Sequence, residues 1–329
     1  QNRSLSPSAM SLLNQSDGKP DDYPGRIGAW LAFTRPKTWG LTVAPVLASL
    51  SLAWSEQHVF DPVIAFFTLT VAVLMQMISN MENDLGYTRR RAETGNRRGL
   101  PRATTRGWIS VRDAERAIRA AIALGLLNIA VLIYFGGWIF TVIGIASIAA
   151  AYCYMGGPKP IAYTPFGELL VLIFFGITSV CGTFYLQTGF LSLNAILLSI
   201  SLGSIASAVL AVNNYRDREH DASIGRKTLA VVMSDTAFIK LFEAMIILPY
   251  LIIAVIVVKD MTYWPYFLVM ASFPDCMRLP EQLKKLQHEA LNAVMFACVK
   301  LEVKFCALFF IGALIQSLLI QLTISQISL

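Results

Sequence analysis

Two aspartates four positions apart are the side chains best suited to metal chemistry. Asp217 and Asp221 lie in the polar run 213–221, directly after a long apolar run. On a helix, residues four apart share one face, with Cβ atoms about 5–6 Å apart. Two such carboxylates repel each other unless a cation lies between them, and Mg²⁺ suits the position because it takes one or two carboxylates plus phosphate oxygens. The alternative is a solvated helix end, where Arg216 and Arg218 neutralise the acids.

A second polar cluster lies about 130 residues earlier, again at the end of an apolar run. At helical spacing, its polar side chains form one stripe: Asn80, Asn83, Asp84 and Tyr87. Two acidic helix ends that face each other, edged by arginines, would suit a Mg²⁺-bound diphosphate, because arginine forks make bidentate contacts with phosphate. An internal duplication, with pseudo-repeat halves of 26–160 and 161–329, would produce this arrangement.

The elements that must position these clusters are membrane helices. Charged residues make up 15% of the 329-residue chain, whereas a soluble domain has about 25%. Apolar runs near the length that crosses a bilayer recur along the sequence. The sequence predicts an all-α polytopic protein with nine transmembrane helices at 39–54, 62–80, 117–135, 138–154, 167–186, 191–212, 238–258, 263–277 and 294–322.

Loop charges predict the orientation in the bilayer. The net charge is +6, but the basic residues cluster in alternate loops, which indicates positive-inside topology rather than a nucleic-acid partner. The N-terminus and both polar clusters are expected in the cytoplasm and the C-terminus outside, in the inner membrane if the cell is bacterial. Residues 1–25 are expected to be a disordered tail, and 26–329 a single transmembrane domain. The five cysteines show no CxxC spacing, so no zinc site is indicated.

The chain resembles the UbiA superfamily of intramembrane prenyltransferases. Within the superfamily it is most similar to the 1,4-dihydroxy-2-naphthoate prenyltransferases of menaquinone biosynthesis. The resemblance covers nearly all of the chain after about residue 28, and motif order and spacing carry it at 35–38, 80–86, 98–103, 154–160, 167–168, 213–221 and 225–230. It implies a nine-helix bundle around a central cavity that opens laterally to lipid. It also implies Mg²⁺-dependent transfer of a prenyl chain from a polyprenyl diphosphate to an aromatic acceptor.

The resemblance implies roles for particular residues. The expected metal ligands are Asn83, Asp84, Glu93, Asn214, Asp217 and Asp221. The expected diphosphate contacts are Arg102, Lys159, Arg216 and Lys227, and the expected catalytic group is Asp217, Asp221, Asn83, Tyr154 and Lys159. Several alternatives stay open. Asp84 could orient a loop, Arg102 could face water, and Tyr154 could be an interfacial tyrosine. Glu168 could orient the acceptor or pair with Lys159.

One position departs from the family pattern. The first motif of the family reads Asn-Asp-x-x-Asp, and Tyr87 stands where its second aspartate is expected. A tyrosine is neutral at pH 7 and a poor Mg²⁺ ligand, so the first metal site loses a charged oxygen. Three interpretations follow: a working enzyme that relies on its other ligands, a related enzyme with a different aromatic acceptor, or a non-catalytic homologue that binds an isoprenoid or a partner protein.

Overall fold

The long apolar runs fold into helices, because a backbone in lipid must satisfy its polar groups internally. A computed structural model describes residues 20, 22–92 and 99–327. Within these ranges the main helices are α1 Gly25–Thr34, α2 Gly40–Gln57, α3 Pro62–Arg89, α4 Val111–Gly136, α5 Ile139–Cys153, α6 Gly167–Thr188, α7 Leu193–Ser223, α8 Asp235–Lys259, α9 Phe273–Lys285 and α10 Leu291–Ile327. The predicted tail lies outside the described residues, except for positions 20 and 22–25.

Six helical segments are long and apolar enough to cross a bilayer. They are Pro62–Arg89, Val111–Gly136, Gly167–Thr188, Leu193–Ser223, Asp235–Lys259 and His288–Thr323, and α5 is a shorter apolar helix. The predicted spans 39–54 and 263–277 have no counterpart among the six. The second of these runs from a 3₁₀ stretch, Met261–Ser272, into the polar helix α9. The all-helical membrane class is confirmed for the described residues, and the count of nine spans stays a prediction.

Side-chain caps fix where several helices begin. The Asp61 carboxylate accepts hydrogen bonds from the first backbone N–H groups of α3. Ser110, Ser192 and Ser234 cap α4, α7 and α8 in the same way. These side chains satisfy N–H groups that have no partner within their helix. Caps therefore fix the N-terminal starts of α3 and α7, while the two polar clusters lie at the C-terminal ends of these helices.

Helix α7 is the central element of the bundle. It packs against α6, α8, α10 and α2, and 78% of its most apolar 18-residue stretch is buried. Small residues allow the closest approach: a Cβ added at Gly203 would lie 2.7 Å from the Leu172 carbonyl oxygen of α6. Such small residues are typical of membrane helix interfaces. The Leu172–Cys181 section of α6 is π-helical. The polar run 213–221 occupies the C-terminal end of α7, so a closely packed helix positions it.

Candidate active site

A cavity of about 650 Å³ opens beside both polar clusters. Its polar end is lined by Arg35, Lys37, Asn80, Asn83, Asn213 and Arg216. Its apolar part is lined by side chains that include Val71, Leu132, Phe140, Phe174 and Leu186. The lining residues of α3 run from Thr68 to Asn83, which is about 22 Å at 1.5 Å per residue. The cavity therefore has a polar head and a long apolar body.

The linker between α1 and α2 is tied to α3 at the polar end of the cavity. The Asn80 amide donates to the Thr34 carbonyl at 3.0 Å and to Thr38 Oγ1 at 3.2 Å. Gln76, one turn earlier, also donates to Thr38 Oγ1 at 3.1 Å. The backbone of Arg35, between these anchors, has a φ of 52°, the left-handed region that non-glycine residues rarely adopt. The network holds a strained, cationic segment at the cavity.

On the opposite side, α7 presents a buried arginine bound to an aspartate. Arg216 Nε lies 3.0 Å from Asp217 Oδ1, and Nη2 lies 2.6 Å from Oδ2. The same guanidinium donates to Asn213 Oδ1 at 2.8 Å and to Asn292 of α10. Asn213 and Arg216 line the cavity, while Asp217 is buried behind them. The aspartate thus holds a cation at the surface of the cavity.

Asp221, one turn further along α7, is fully buried and bonded to Arg226. Arg226 Nη1 lies 2.9 Å from Asp221 Oδ1, and Nε donates to the Ala162 carbonyl at 2.8 Å. Nη1 also donates to the hydroxyl of Tyr87 on α3. Arg226 lies in the loop after α7; burial by itself would lower its pKa, but Tyr87 and Asp221 raise it above its usual value. The guanidinium therefore stays charged where α3, α7 and the α5–α6 loop meet.

The carboxylate of the buried Asp84 is hydrogen-bonded to the loop that follows α3. Its carboxylate accepts hydrogen bonds from the backbone N–H of Ala103 at 2.8 Å and of Thr104 at 2.9 Å. Thr104 Oγ1 donates to it at 2.6 Å. This geometry favours the loop-orienting role for Asp84 over the role of metal ligand. It also places Arg102, which is 3% exposed, with its guanidinium carbon 3.5 Å from the centre of the Tyr87 ring. Arg102 is buried, so it does not face water.

Two oxygens of the α7 cluster are buried without a hydrogen-bond partner: Asp221 Oδ2 and Asn214 Oδ1. The Asn214 amide donates to Glu168 Oε1 at 2.9 Å, so Glu168 pairs with Asn214 rather than with Lys159. Within the described residues, no three His, Cys, Asp or Glu side chains are gathered to hold a metal. A donor set of one or two carboxylates with amide oxygens still fits Mg²⁺, which usually completes its coordination with water and substrate phosphates.

The structure separates the predicted residues into two groups. Asn83, Asp217, Asp221, Asn214, Arg216, Arg102 and Tyr154 lie in or beside the polar end of the cavity. Lys159 and Lys227 are exposed and do not line the cavity. Glu93 lies outside the described residues. Arg226 belongs to the motif at 225–230, but the sequence analysis assigns it no role. The sequence feature that points to its position is the preceding glycine, Gly225, which adopts a φ of 78° in the structure.

Comparison with known proteins shows the family. The profile of the UbiA prenyltransferase family matches residues 42–314. The 1,4-dihydroxy-2-naphthoate octaprenyltransferase of Escherichia coli strain K12 is 37% identical over 218 residues, 64% of this chain and 70% of that protein. The enzyme of the same name from Haemophilus influenzae is 31% identical over 277 residues, 79% of this chain and 90% of that protein.

Solved structures show the same fold. A UbiA homolog from Archaeoglobus fulgidus, solved with bound DMAPP and Mg²⁺, superposes with a TM-score of 0.62 at 14% identity. The match covers 86% of this chain and 98% of the homolog. The apo structure of a UbiA homolog from Aeropyrum pernix K1 has a TM-score of 0.62 at 13% identity, over 84% and 97% of the two chains. The chain is a prenyltransferase and belongs to the UbiA prenyltransferase family.

Proposed function

We propose that this chain transfers a prenyl group from a polyprenyl diphosphate to an aromatic acceptor such as 1,4-dihydroxy-2-naphthoate, for quinone biosynthesis, in a Mg²⁺-dependent reaction. The observation that carries the proposal is the two-part cavity, in which a cationic and amide-lined head adjoins a long apolar body. A prenyl diphosphate has the same two parts. The named activity of the Escherichia coli and Haemophilus influenzae relatives supports the choice of acceptor.

In this proposal the α7 cluster holds the metal. Asp221 would supply a carboxylate oxygen, Asn214 an amide oxygen, and Asn83 a further amide across the cavity. Asp217 would supply a second carboxylate oxygen by exchanging one of its two bonds to Arg216 for the metal. The partnerless Asp221 Oδ2 and Asn214 Oδ1 fit this role, because buried oxygens without a partner are costly. Bound Mg²⁺ would neutralise charge that develops on the departing diphosphate. The solved structure of the Archaeoglobus fulgidus homolog, which contains DMAPP and Mg²⁺, supports the metal by family.

The protein's own cations would bind and orient the diphosphate. Arg216 lines the cavity, and Arg35 and Lys37 line it from the α1–α2 linker. Their positive charge would stabilise the leaving group as the allylic C–O bond breaks and the diphosphate departs with the bonding electrons. The allylic carbon would then form a bond with the electron-rich carbon of the acceptor that carries the carboxylate. For 1,4-dihydroxy-2-naphthoate, that carboxylate would leave as CO₂, and its bonding electrons would return to the ring and restore aromaticity. Tyr154 lines the cavity, and its aromatic face would stabilise the cationic carbon.

The lateral entrance of the cavity would lie between α5 and α6. Both helices line the cavity, but within the described residues their main partners differ: α5 packs chiefly on α3 and α4, while α6 packs chiefly on α7 and α2. They meet through Phe140 and Tyr185, whose rings are 6.1 Å apart. We infer that the prenyl chain enters between these two helices, and that the polar head and the arginine-rich loops both face the cytoplasm.

The test is a turnover assay with the full chain in nanodiscs. Farnesyl and longer diphosphates would be supplied with 1,4-dihydroxy-2-naphthoate, with and without Mg²⁺. A prenylated product that requires Mg²⁺ would support the proposal. Diphosphate binding without product would indicate a different aromatic acceptor. Folded protein that neither binds a prenyl diphosphate nor forms product would refute the proposed reaction.

A further inference from the structure

Arg226 occupies the place between α3 and α7 where two acidic helix ends would otherwise share a cation. Its guanidinium is bonded on three sides: to Asp221 of α7, to the Tyr87 hydroxyl of α3, and to the Ala162 carbonyl. Arg226 is 5% exposed and Tyr87 is 1% exposed. The positive charge at this point therefore belongs to a side chain of the protein, and unlike a bound metal ion it cannot dissociate into solvent.

The described part of α3 supplies no carboxylate on the stripe that faces this place. Asp84 is bonded to the loop by three donors, and Tyr87 has no carboxylate. Glu82 lies beside Arg89, 4.0 Å away, and Arg89 bonds to Glu115 of α4, so Glu82 is turned toward α4. Among the described residues, the carboxylates left for a cation between the two clusters are therefore those of α7.

Among the described residues, three buried aspartates of this group stand against three buried arginines. Its aspartates are Asp84, Asp217 and Asp221, and its arginines are Arg102, Arg216 and Arg226. The Tyr87 ring lies between two of these cations, because Arg102 covers one part of it at 3.5 Å from the ring centre and Arg226 bonds to its hydroxyl. The Tyr87 ring is also nearly parallel to the ring of His220, with ring centres 6.4 Å apart. A second carboxylate in place of Tyr87 would make the group anionic and would invite another metal ion.

We propose that this chain binds its diphosphate with one divalent cation, held on the α7 side, and that Arg226, positioned by Tyr87, takes the place of a second. Asp221 serves both cations: Oδ1 bonds to Arg226, and the partnerless Oδ2 is left for the metal. The inference rests on the proposed function, because it presumes a metal-bound diphosphate in this cavity.

The test counts metal ions rather than turnover. The full chain in nanodiscs is titrated with Mn²⁺ in the presence of inorganic pyrophosphate, and electron paramagnetic resonance measures the free ion. We expect one bound Mn²⁺ per chain for the natural sequence. Tyr87→Phe, which removes only the hydroxyl and adds no acid, should also bind one. The double variant Tyr87→Asp with Arg226→Met supplies a carboxylate, removes the built-in cation and should bind two.

The outcomes separate the inference from the proposed function. Two ions on the natural protein would overturn the inference and leave the proposed function standing. A folded double variant that still binds one ion would show that Tyr87 and Arg226 do not set the count, which also overturns it. No pyrophosphate and no Mn²⁺ bound to the natural protein would instead refute the proposed function. The count on the natural protein decides the question even where the double variant does not fold.

Discussion

Arg216 is bonded at two points to the residue that follows it in the chain, Asp217, with distances of 3.0 Å and 2.6 Å. Neighbours in a helix point about 100° apart, so this pair forms only because the arginine bends back along α7. The arginine lines the cavity and the aspartate does not. The cluster is therefore layered, with a cation at the cavity surface and an acid beneath it.

Asp217→Asn and Asp221→Asn should each lower the rate of prenyl transfer about a hundredfold or more, because loss even of an outer-shell partner of a metal site costs 10–100-fold. Initial rates across a series of Mg²⁺ concentrations would measure this effect. Asp275→Asn is the matched control, since Asp275 is an exposed acid that pairs with Lys304 and should leave the rate unchanged. Near-normal rates in both α7 variants would remove these residues from the metal site.

Asp84→Asn should destabilise the fold around the Arg102 loop. The amide would turn a donor toward three donors that now converge on a carboxylate, and hydrogen bonds to charged groups are worth about 1.5–3 kcal/mol each. We expect a lower thermal unfolding midpoint and increased protease cleavage near residues 99–106. Asp113→Asn, at an exposed helix start, controls for the chemistry of the change. An unchanged midpoint would contradict the loop-anchoring role.

The two polar clusters show which features of the site the sequence predicts and which it does not. The position of the two polar clusters at the ends of apolar runs predicted that they face one cavity, and Asn83, Asn213 and Arg216 line the same cavity. The sequence did not predict which partner each side chain takes, because loops follow no period. Arg226 is buried and Lys227 exposed, although the two cations are adjacent in the motif. The direction of each depends on the turn at Gly225, a backbone property that charge patterns do not report.

Phe140→Ala should shift preference toward longer prenyl chains. Phe140 is 6% exposed and packs with Leu132 and Leu186 at the end of the cavity furthest from the polar cluster, so its removal would lengthen the apolar body. Competition between farnesyl and longer diphosphates would give the ratio of products. Phe66→Ala serves as the control, because that ring is 62% exposed. An unchanged ratio in Phe140→Ala would show that this ring does not limit chain length.

Gly203→Ala should destabilise the bundle more than Gly182→Ala. A methyl group at 203 would meet the Leu172 carbonyl oxygen at 2.7 Å, whereas at 182 its nearest neighbour is a Phe140 ring carbon at 3.8 Å. Overpacking of this kind costs about 1–3 kcal/mol. Thermal unfolding in one detergent would compare the two variants. Equal midpoints would show that α6 and α7 can move apart to accommodate the methyl group without a loss of stability.

The proposed entrance between α5 and α6 would determine which substrate concentration governs the enzyme. A tail that enters and leaves between these helices passes directly between protein and bilayer and never crosses water. The relevant quantity is then the mole fraction of the prenyl diphosphate in the surrounding lipid, rather than its amount per volume of solution. Diluting the same substrate and protein into more lipid would slow turnover, while diluting the vesicles into more buffer would leave it unchanged.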